Sequence, residues 1–419
     1  MKIVLVQHKS FLNGSGGAEK MCCFLANGFR RSGNEVVIAT NEDVQGQPMF
    51  DLEAGITVTN VYDAALEQVQ LKALHNYKGN NPLRWLAGKI NKKLAKFHNA
   101  GLAKKYGGNV VLFNLKQRSL AWKAYLESLD PDIVLTVSLD SALEISYQQH
   151  YNFPIVNTVN GRPDYDYMPV FGPRDSLEMN LLIDTFKQLS AIQVLFESYK
   201  TFVPPSLKGE IFVIPNPVPQ LPATDFVQHQ VQKERYEVIH IGRLDDGCKQ
   251  QSMAIAIFSE LALSYPDWDL VFWGIGSDHE LLQAMIEEKG LSSRIFLKGF
   301  TADPLSHLRE SDIFIFPSKY EGFPLALTEA MTVGLPVLGL RICSGVNELI
   351  DHGRNGYLAA DSADMRDYLS QLMNSAALRS RMGLAAKEDM QQYDPELVRL
   401  KWNQLLEETK LKHQKFFTM

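Results

Sequence analysis

The sequence predicts an α/β protein built from two doubly wound, parallel-sheet domains, and three observations predict it. The 419 residues exceed what one ordinary core encloses and suit two domains of roughly 200 residues each. Near-continuous apolar runs such as DIVLTVS (Asp132–Ser138) and PIVNTV (Pro154–Val159) alternate with helical stretches. Such runs are the mark of strands covered on both faces. Near the middle, PNPVPQLP (Pro215–Pro222) has no periodicity and reads as a linker. The expected division is therefore a domain over 1–215 and a second over 216–395, with a last helix at about 396–419.

Composition narrows the class. Hydrophobic residues make up 45% and charged residues 21%, values ordinary for a soluble globular protein. No apolar run approaches the ~20 residues that span a bilayer. MKIVLVQH turns polar too soon for a signal peptide and reads as a first strand. Cys22, Cys23, Cys248 and Cys343 lack metal-ligand spacing and read as reduced thiols of a cytoplasmic protein. A net charge of −6 argues against nucleic-acid binding.

In chain order, KIVLVQH is a strand and NGSGGAEK (Asn13–Lys20) a Gly-rich turn into a helix. That geometry lets backbone N–H groups at Gly16 and Gly17 approach an anion or a sugar, though a plain tight turn has the same sequence. EVVIAT (Glu35–Thr40) and ITVTNVY (Ile56–Tyr62) are β-rich, and a basic helical region follows from about Lys72 to Leu126. After PIVNTV comes NGRPDYDY, with Asn160 at the strand end. Asp164 and Asp166 form a D-x-D, as do Asp267 and Asp269; turn propensity accounts for both, and no metal is assigned. AIQVLFES and EIFVIPNPV complete the first half.

The second half opens with EVIHIGRLDDGCKQ, where Arg243 and Lys249 flank a turn beside two acids. On its own this is a solvated loop with local ion pairs. DLVFWGIG ends at Gly274 and Gly276, and RIFLKGF at Gly299 and Phe300; carboxyl ends of parallel strands are where ligands sit. IFIFPS then leads into EGFPLALTEAM, strand, Gly turn and helix. Pro324 suits the first helical turn, where its missing N–H has no intrahelical partner. The free N–H groups there form an anion site. Glu321 stands before that helix and Glu329 one to two turns inside it, and carboxylates suit vicinal hydroxyls of a sugar or ribose. A capping Glu and a solvated Glu are the plain alternative. GVNELIDHGRNGYLAA closes the domain at the turn Arg354–Gly356, and DPELVRLKWNQLLEE is the last helix.

The segment FPSKYEGFPLALTEAMTVGLPVLGL (Phe316–Leu340) resembles the family 4 (group 1) retaining glycosyltransferases, whose two Rossmann-like domains face each other across a cleft in the GT-B fold. Their signature is two Glu separated by seven residues, the spacing of Glu321 and Glu329. The resemblance is strong over Ile214–Gly356 and weak before it. It implies that Glu321 faces the donor sugar and Glu329 the ribose, with the turn of Gly322, Phe323, Pro324 and Leu325 setting its backbone amides on sugar and diphosphate. It implies Arg243 and Lys249 on the diphosphate, a fork and a point charge. Phe300, by its strand-end position, is a candidate base contact or a core aromatic. The resemblance also implies that Gly16 and Gly17 line the cleft and that Asn160 stands where family members often carry His. An Asn there hydrogen-bonds but shuttles no proton.

The resemblance implies transfer of a hexose or N-acetylhexosamine from a nucleoside diphosphate sugar, a uridine nucleotide by family frequency, to an acceptor hydroxyl with retained configuration. The donor is a substrate, and no cofactor or metal is implied. A nucleotide-sugar epimerase of the same fold and a non-catalytic nucleotide-sugar-binding scaffold are the alternatives. The first needs acid and base groups that Asn160 does not supply; the second would be expected to lack Arg243, Lys249 or a motif Glu, and all are present.

One stretch departs sharply from the average charge. Between Glu67 and Glu127 there is no acid but twelve Lys and Arg, Lys72 and Lys78 among them. Within it Leu83, Leu86, Ile90, Leu94 and Phe97 recur at helical steps beside Trp85, Lys89, Lys92, Lys93 and Lys96. A basic amphipathic helix over about 83–98 lies in a membrane interface or packs its Leu face on the core. Family members that build glycans on lipid carriers dock through such a region, which implies a lipid-linked glycan acceptor and a peripheral enzyme on the inner face of the membrane.

Overall fold

In a computed structural model the described residues are 1–74 and 81–418. The first domain contributes strands β1 (Lys2–Val6), β2 (Glu35–Thr40), β3 (Thr57–Asn60), β4 (Ile133–Thr136), β5 (Ile155–Thr158), β6 (Ala191–Val194) and β7 (Glu210–Val213). They form one parallel sheet in the order β3-β2-β1-β4-β5-β6-β7. β4, β5 and β6 are buried at every position, which is why their sequences run apolar without alternation. β3 is the exposed edge and is shorter than the expected strand.

The second domain contributes β8 (Tyr236–Ile241), β9 (Trp268–Trp273), β10 (Ile295–Leu297), β11 (Ile313–Phe316), β12 (Val337–Leu340) and β13 (Gly356–Ala359), ordered β10-β9-β8-β11-β12-β13. The fold is therefore α/β with two parallel Rossmann-like sheets, as expected. In each sheet the order reverses beside the first strand, at β1/β4 and at β8/β11. Such switch points open a crevice at the carboxyl ends of the strands.

Two expected boundaries differ. The turn at Arg354–Gly356 does not end the domain, because it feeds β13, and helices Ser362–Asn374 and Ala376–Met390 follow. Gly356 pairs directly with Val337, and a Cβ there would lie 2.4 Å from the Val337 carbonyl oxygen. The basic region is not one helix. Gly107 and Gly108, at φ of 74° and 92°, break it into Pro82–Lys105 and Val110–Leu129, each capped by an Asn side chain. Lys72 is outside both helices, its backbone held by a pair of bonds to Asn99, and Lys78 lies outside the described residues.

The Leu face of Pro82–Lys105 does not pack on the core. Leu83, Leu86, Ile90, Leu94 and Phe97 are all exposed, Phe97 at 83%, and Ala95 is the helix's buried residue. Among the described residues no helix is long and apolar enough to cross a membrane.

The last helix, Pro395–Thr418, returns to the first domain. Trp402 meets Phe29 edge-on at 6.3 Å, and Arg399 donates to Ser32 Oγ at 3.0 Å. The two segments that cross between domains are bonded to each other, Val218 N–H to Tyr393 O at 2.8 Å and Gln220 Nε2 to Met390 O at 3.1 Å.

Candidate active site

The cleft is built from the loops after β1, β8 and β11. After β8 the chain forms a short helix, Asp246–Lys249, fixed by Asp246, whose carboxylate accepts from Ser252 N–H and Oγ at 2.7 Å each. The loop after β9 packs on it at backbone distance. A Cβ on Gly274 would lie 2.0 Å from Gly242 O, and one on Gly276 2.1 Å from Leu244 O. Lys249 thereby projects onto Glu321, and the two form an ion pair with both side chains largely covered. Arg243 stands at the same loop, well exposed and paired with Asp245 at 2.9 Å.

Beneath Lys249 lies His240, fully buried between Phe272 and Phe316 with ring centroids 5.6 Å away on each side. Burial, and next the charge of Lys249, push its pKa down to about 3, so it is a neutral ring in the floor of the site.

The loop after β11 makes its turn at Gly322. A Cβ there would lie 2.0 Å from Asn160 O, so the second domain touches the first at backbone distance and no larger residue fits. Asn160 spends its side chain on the fold, donating from Nδ2 to Val137 O at 2.8 Å. Phe323 turns inward and stacks on Phe196 at 5.5 Å, which leaves only its backbone for a ligand. Pro324 is not the first helical residue but the cap before it. Its ψ of 94° is extended, and the helix runs Leu325–Thr332.

Glu329 is buried on that helix, and burial raises its pKa, a rise that Lys20 of the first domain, 3.4 Å away, only partly offsets. Lys20 belongs to the helix Gly17–Arg31, capped by Gly16. The preceding turn folds over a buried carboxylate. Glu19 accepts from Gln7 Nε2 at 2.7 Å, and a Cβ on Gly16 would lie 2.4 Å from Glu19 Oε2. On Gly17 a Cβ would lie 3.9 Å from Leu325 Cδ1, so the two helix N-termini oppose each other. Gly17, Lys20, Phe24, Pro217, Leu325 and Glu329 line one cavity of about 270 Å³.

The structure thus brings together Glu321 with Lys249, Gly322 with Asn160, and Gly17 with Leu325 and Glu329. Phe300 stands apart on the loop after β10, 70% exposed and so not a core aromatic. One acid of each D-x-D is held in an ion pair. Asp164 holds Arg162 at 2.7 and 2.9 Å, and Asp269 holds Arg235 and Arg294. Burial, then the charge of Asp140, raises Asp166 to about 7. Sequence reasoning missed Lys20; its place three residues after Gly17, on the helix face turned to the cleft, was the available signal.

Residues 223–389 match the family model of group 1 glycosyl transferases. The chain is 35% identical over 133 residues to the poly(ribitol-phosphate) alpha-N-acetylglucosaminyltransferase of Staphylococcus aureus (strain COL), covering 31% of this chain and 27% of that protein. It is 28% identical over 218 residues to a protein named as an uncharacterized glycosyltransferase of Haemophilus influenzae, covering 51% and 60%. The chain therefore spans between about a quarter and three-fifths of the length of these curated relatives. A crystal structure of an S. aureus TarM variant in complex with fondaparinux, alpha-GlcNAc-glycerol and UDP superposes with a TM-score of 0.71 over 97% of this chain and 100% of that one, at 19% identity. This likeness concerns the fold. The chain has the two-domain GT-B architecture, and across residues 223–389 it carries the sequence pattern of the group 1 glycosyl transferases.

Proposed function

We propose that the protein is a retaining glycosyltransferase that moves a hexose or N-acetylhexosamine from a nucleoside diphosphate sugar to a hydroxyl of a glycan acceptor. The observation that carries this is a pair of carboxylates on one loop and helix, each met by a lysine: Glu321 by Lys249 and Glu329 by Lys20 from the opposite domain. A nucleotide sugar offers matching groups. Its sugar hydroxyls suit Glu321, its ribose suits Glu329, and its diphosphate suits Lys249, Arg243 and the amides at the start of Leu325–Thr332. The bond from the anomeric carbon to the diphosphate breaks as a bond to the acceptor oxygen forms on the same face. The acceptor proton passes to the departing phosphate oxygen. Developing negative charge is met by side chains and amides already in place, a metal-independent arrangement. Orientation supplies the rest.

The acceptor is proposed to be lipid-linked, with the enzyme docked on an anionic, cytoplasm-facing membrane surface through Pro82–Lys105. That helix presents an uncovered apolar face bordered by Lys89, Lys93 and Lys96, and Lys89 lies 3.7 Å over the Trp85 ring. Each basic residue near an anionic surface contributes about 1 kcal/mol.

The test is a panel of nucleotide sugars, uridine donors first, with release of free nucleoside diphosphate as readout and the anomeric product read by NMR. Slow donor hydrolysis with retention supports the reading. An altered sugar, or tight binding without turnover in the presence of glycan acceptors, overturns it.

A further inference from the structure

We infer that Tyr199 is a positioning residue that shapes the Glu321 loop from the opposite domain, so that the sugar side of the cleft is complete only with the two domains closed. The inference rests on the reading of Glu321 as a donor-sugar ligand, but its structural half does not.

Tyr199 follows β6 in a 3-10 turn, Glu197–Phe202, of the first domain. Its ring is buried, and its hydroxyl donates to the Gly322 carbonyl at 3.1 Å while accepting from Ser344 Oγ at 2.9 Å. Both partners belong to the second domain, on the separate loops after β11 and β12. Those loops are themselves in contact, since a Cβ on Gly345 would lie 2.3 Å from Gly322 O. One phenol therefore ties two loops of the far domain with both of its hydrogen-bonding roles engaged.

The residues around Glu321 are gripped from the same side. Tyr320 packs edge-on against Tyr165 at 6.2 Å and Phe171 at 5.1 Å, and Phe323 stacks on Phe196. Glu321 turns back to its own domain, onto Lys249, and the backbone just before it is held there too, Lys319 N–H donating to Cys248 O at 2.8 Å. The rings of Tyr320 and Phe323 and the Gly322 carbonyl are thus held by the first domain, and the Glu321 carboxylate by the second. Moving the domains apart would break the Tyr199 bonds and release the turn that aims the carboxylate. Placement errors near 1 Å at a reacting centre cost about 10²-fold in rate.

Tyr199→Phe keeps the ring and deletes the hydroxyl; Ser344→Ala removes the second partner and is the milder change. Hydrogen exchange of the ligand-free protein should show faster exchange in both variants across 319–325 and 341–347 together. Faster exchange confined to 197–202 would mark Tyr199 as local packing and overturn the inference, as would unchanged exchange. With a nucleotide-sugar donor, kcat of Tyr199→Phe should fall by about 10- to 100-fold. Affinity for the free nucleoside diphosphate should stay within about twofold, because Arg243, Lys249 and Glu329 are untouched. Loss of nucleotide affinity with kcat unchanged would sink the positioning role. If the wild type turns over no nucleotide sugar, the exchange experiment still decides the clasp and only the proposed function fails.

Discussion

Lys20 Nζ and Glu329 Oε1, from opposite domains, meet across the cleft at 3.4 Å. The carboxylate is buried and the ammonium is half out in solvent; burial raises the Glu329 pKa and the lysine offsets part of that rise. Removing the cation lets burial act alone. Lys20→Met should raise the Glu329 pKa further and make nucleoside diphosphate binding weaken at higher pH than in the wild type as the solution is acidified. Calorimetric titration at several pH values checks this, and a profile parallel to the wild type would show that the two groups are not coupled.

The two acids should separate by ligand. Glu329→Gln is expected to weaken binding of the free nucleoside diphosphate, since it faces the ribose in the proposal. Glu321→Gln should leave that binding nearly intact and lower turnover of the intact donor. Titration of the nucleotide beside donor kinetics reads both, and the opposite pattern would reverse the roles.

Arg243 and Lys249 are expected to share the diphosphate but not a structural role. Each Ala substitution should cut turnover by about 10²-fold or more, the scale of losing one donor to developing charge. Arg243 is exposed, and its loss should leave Tm unchanged. Lys249 is covered, and its loss strands Glu321 without a counter-charge, so Lys249→Ala should melt measurably lower. Equal Tm values would mean that the pair contributes nothing to the fold.

Flotation with anionic liposomes tests the basic helix. The wild type should float at low salt and sink as salt rises. Exchanging Lys89, Lys93 and Lys96 for Glu should abolish flotation, and so should Phe97→Glu, which changes the apolar face alone. A protein that never floats and glycosylates only soluble acceptors would remove the membrane from the proposal.

His240 and His229 make stability fall in acid. Burial pushes them to about 3 and about 4, whereas unfolded histidine titrates near 6.5. Between those values the unfolded chain binds more protons than the native one. Stability is therefore full above about pH 6.5 and declines as pH falls towards 4, by up to about 1.4 kcal/mol per unit for each ring. Urea midpoints at about pH 7.5 and 5 measure it. His240→Phe should flatten the slope, and an unchanged slope would place the acid sensitivity elsewhere.

Much of the fold was legible because strands such as Ile133–Thr136 and Ile313–Phe316 are buried on both faces and their sequences carry nothing else. β13 escaped notice because its neighbour sequence, HGRNG, looks like an ending, and only tertiary pairing with Val337 makes Gly356 the start of a strand. At the site, Glu321, Glu329, Arg243 and Lys249 were visible as a spacing. Lys20, Tyr199 and Ser344 were not, because each is an ordinary residue locally and its partner lies more than a hundred positions away. Burial decided the basic helix as well. Its heptad-like Leu face fits a core or an interface equally in sequence, and the exposure of Leu83 and Phe97 excludes the core.

The chain passes between its domains twice, and the passages are stitched together at Val218 and Tyr393. A single tether would let one body swivel and twist freely about the other. Two strands pinned side by side act like the leaves of a door on one pin, and rotation about their common line is the motion that leaves both intact. Lys20 with Glu329, and Tyr199 with Gly322, are further contacts that join the two domains. Were the domains to part, that common line is the axis along which the two bonded passages would stay intact.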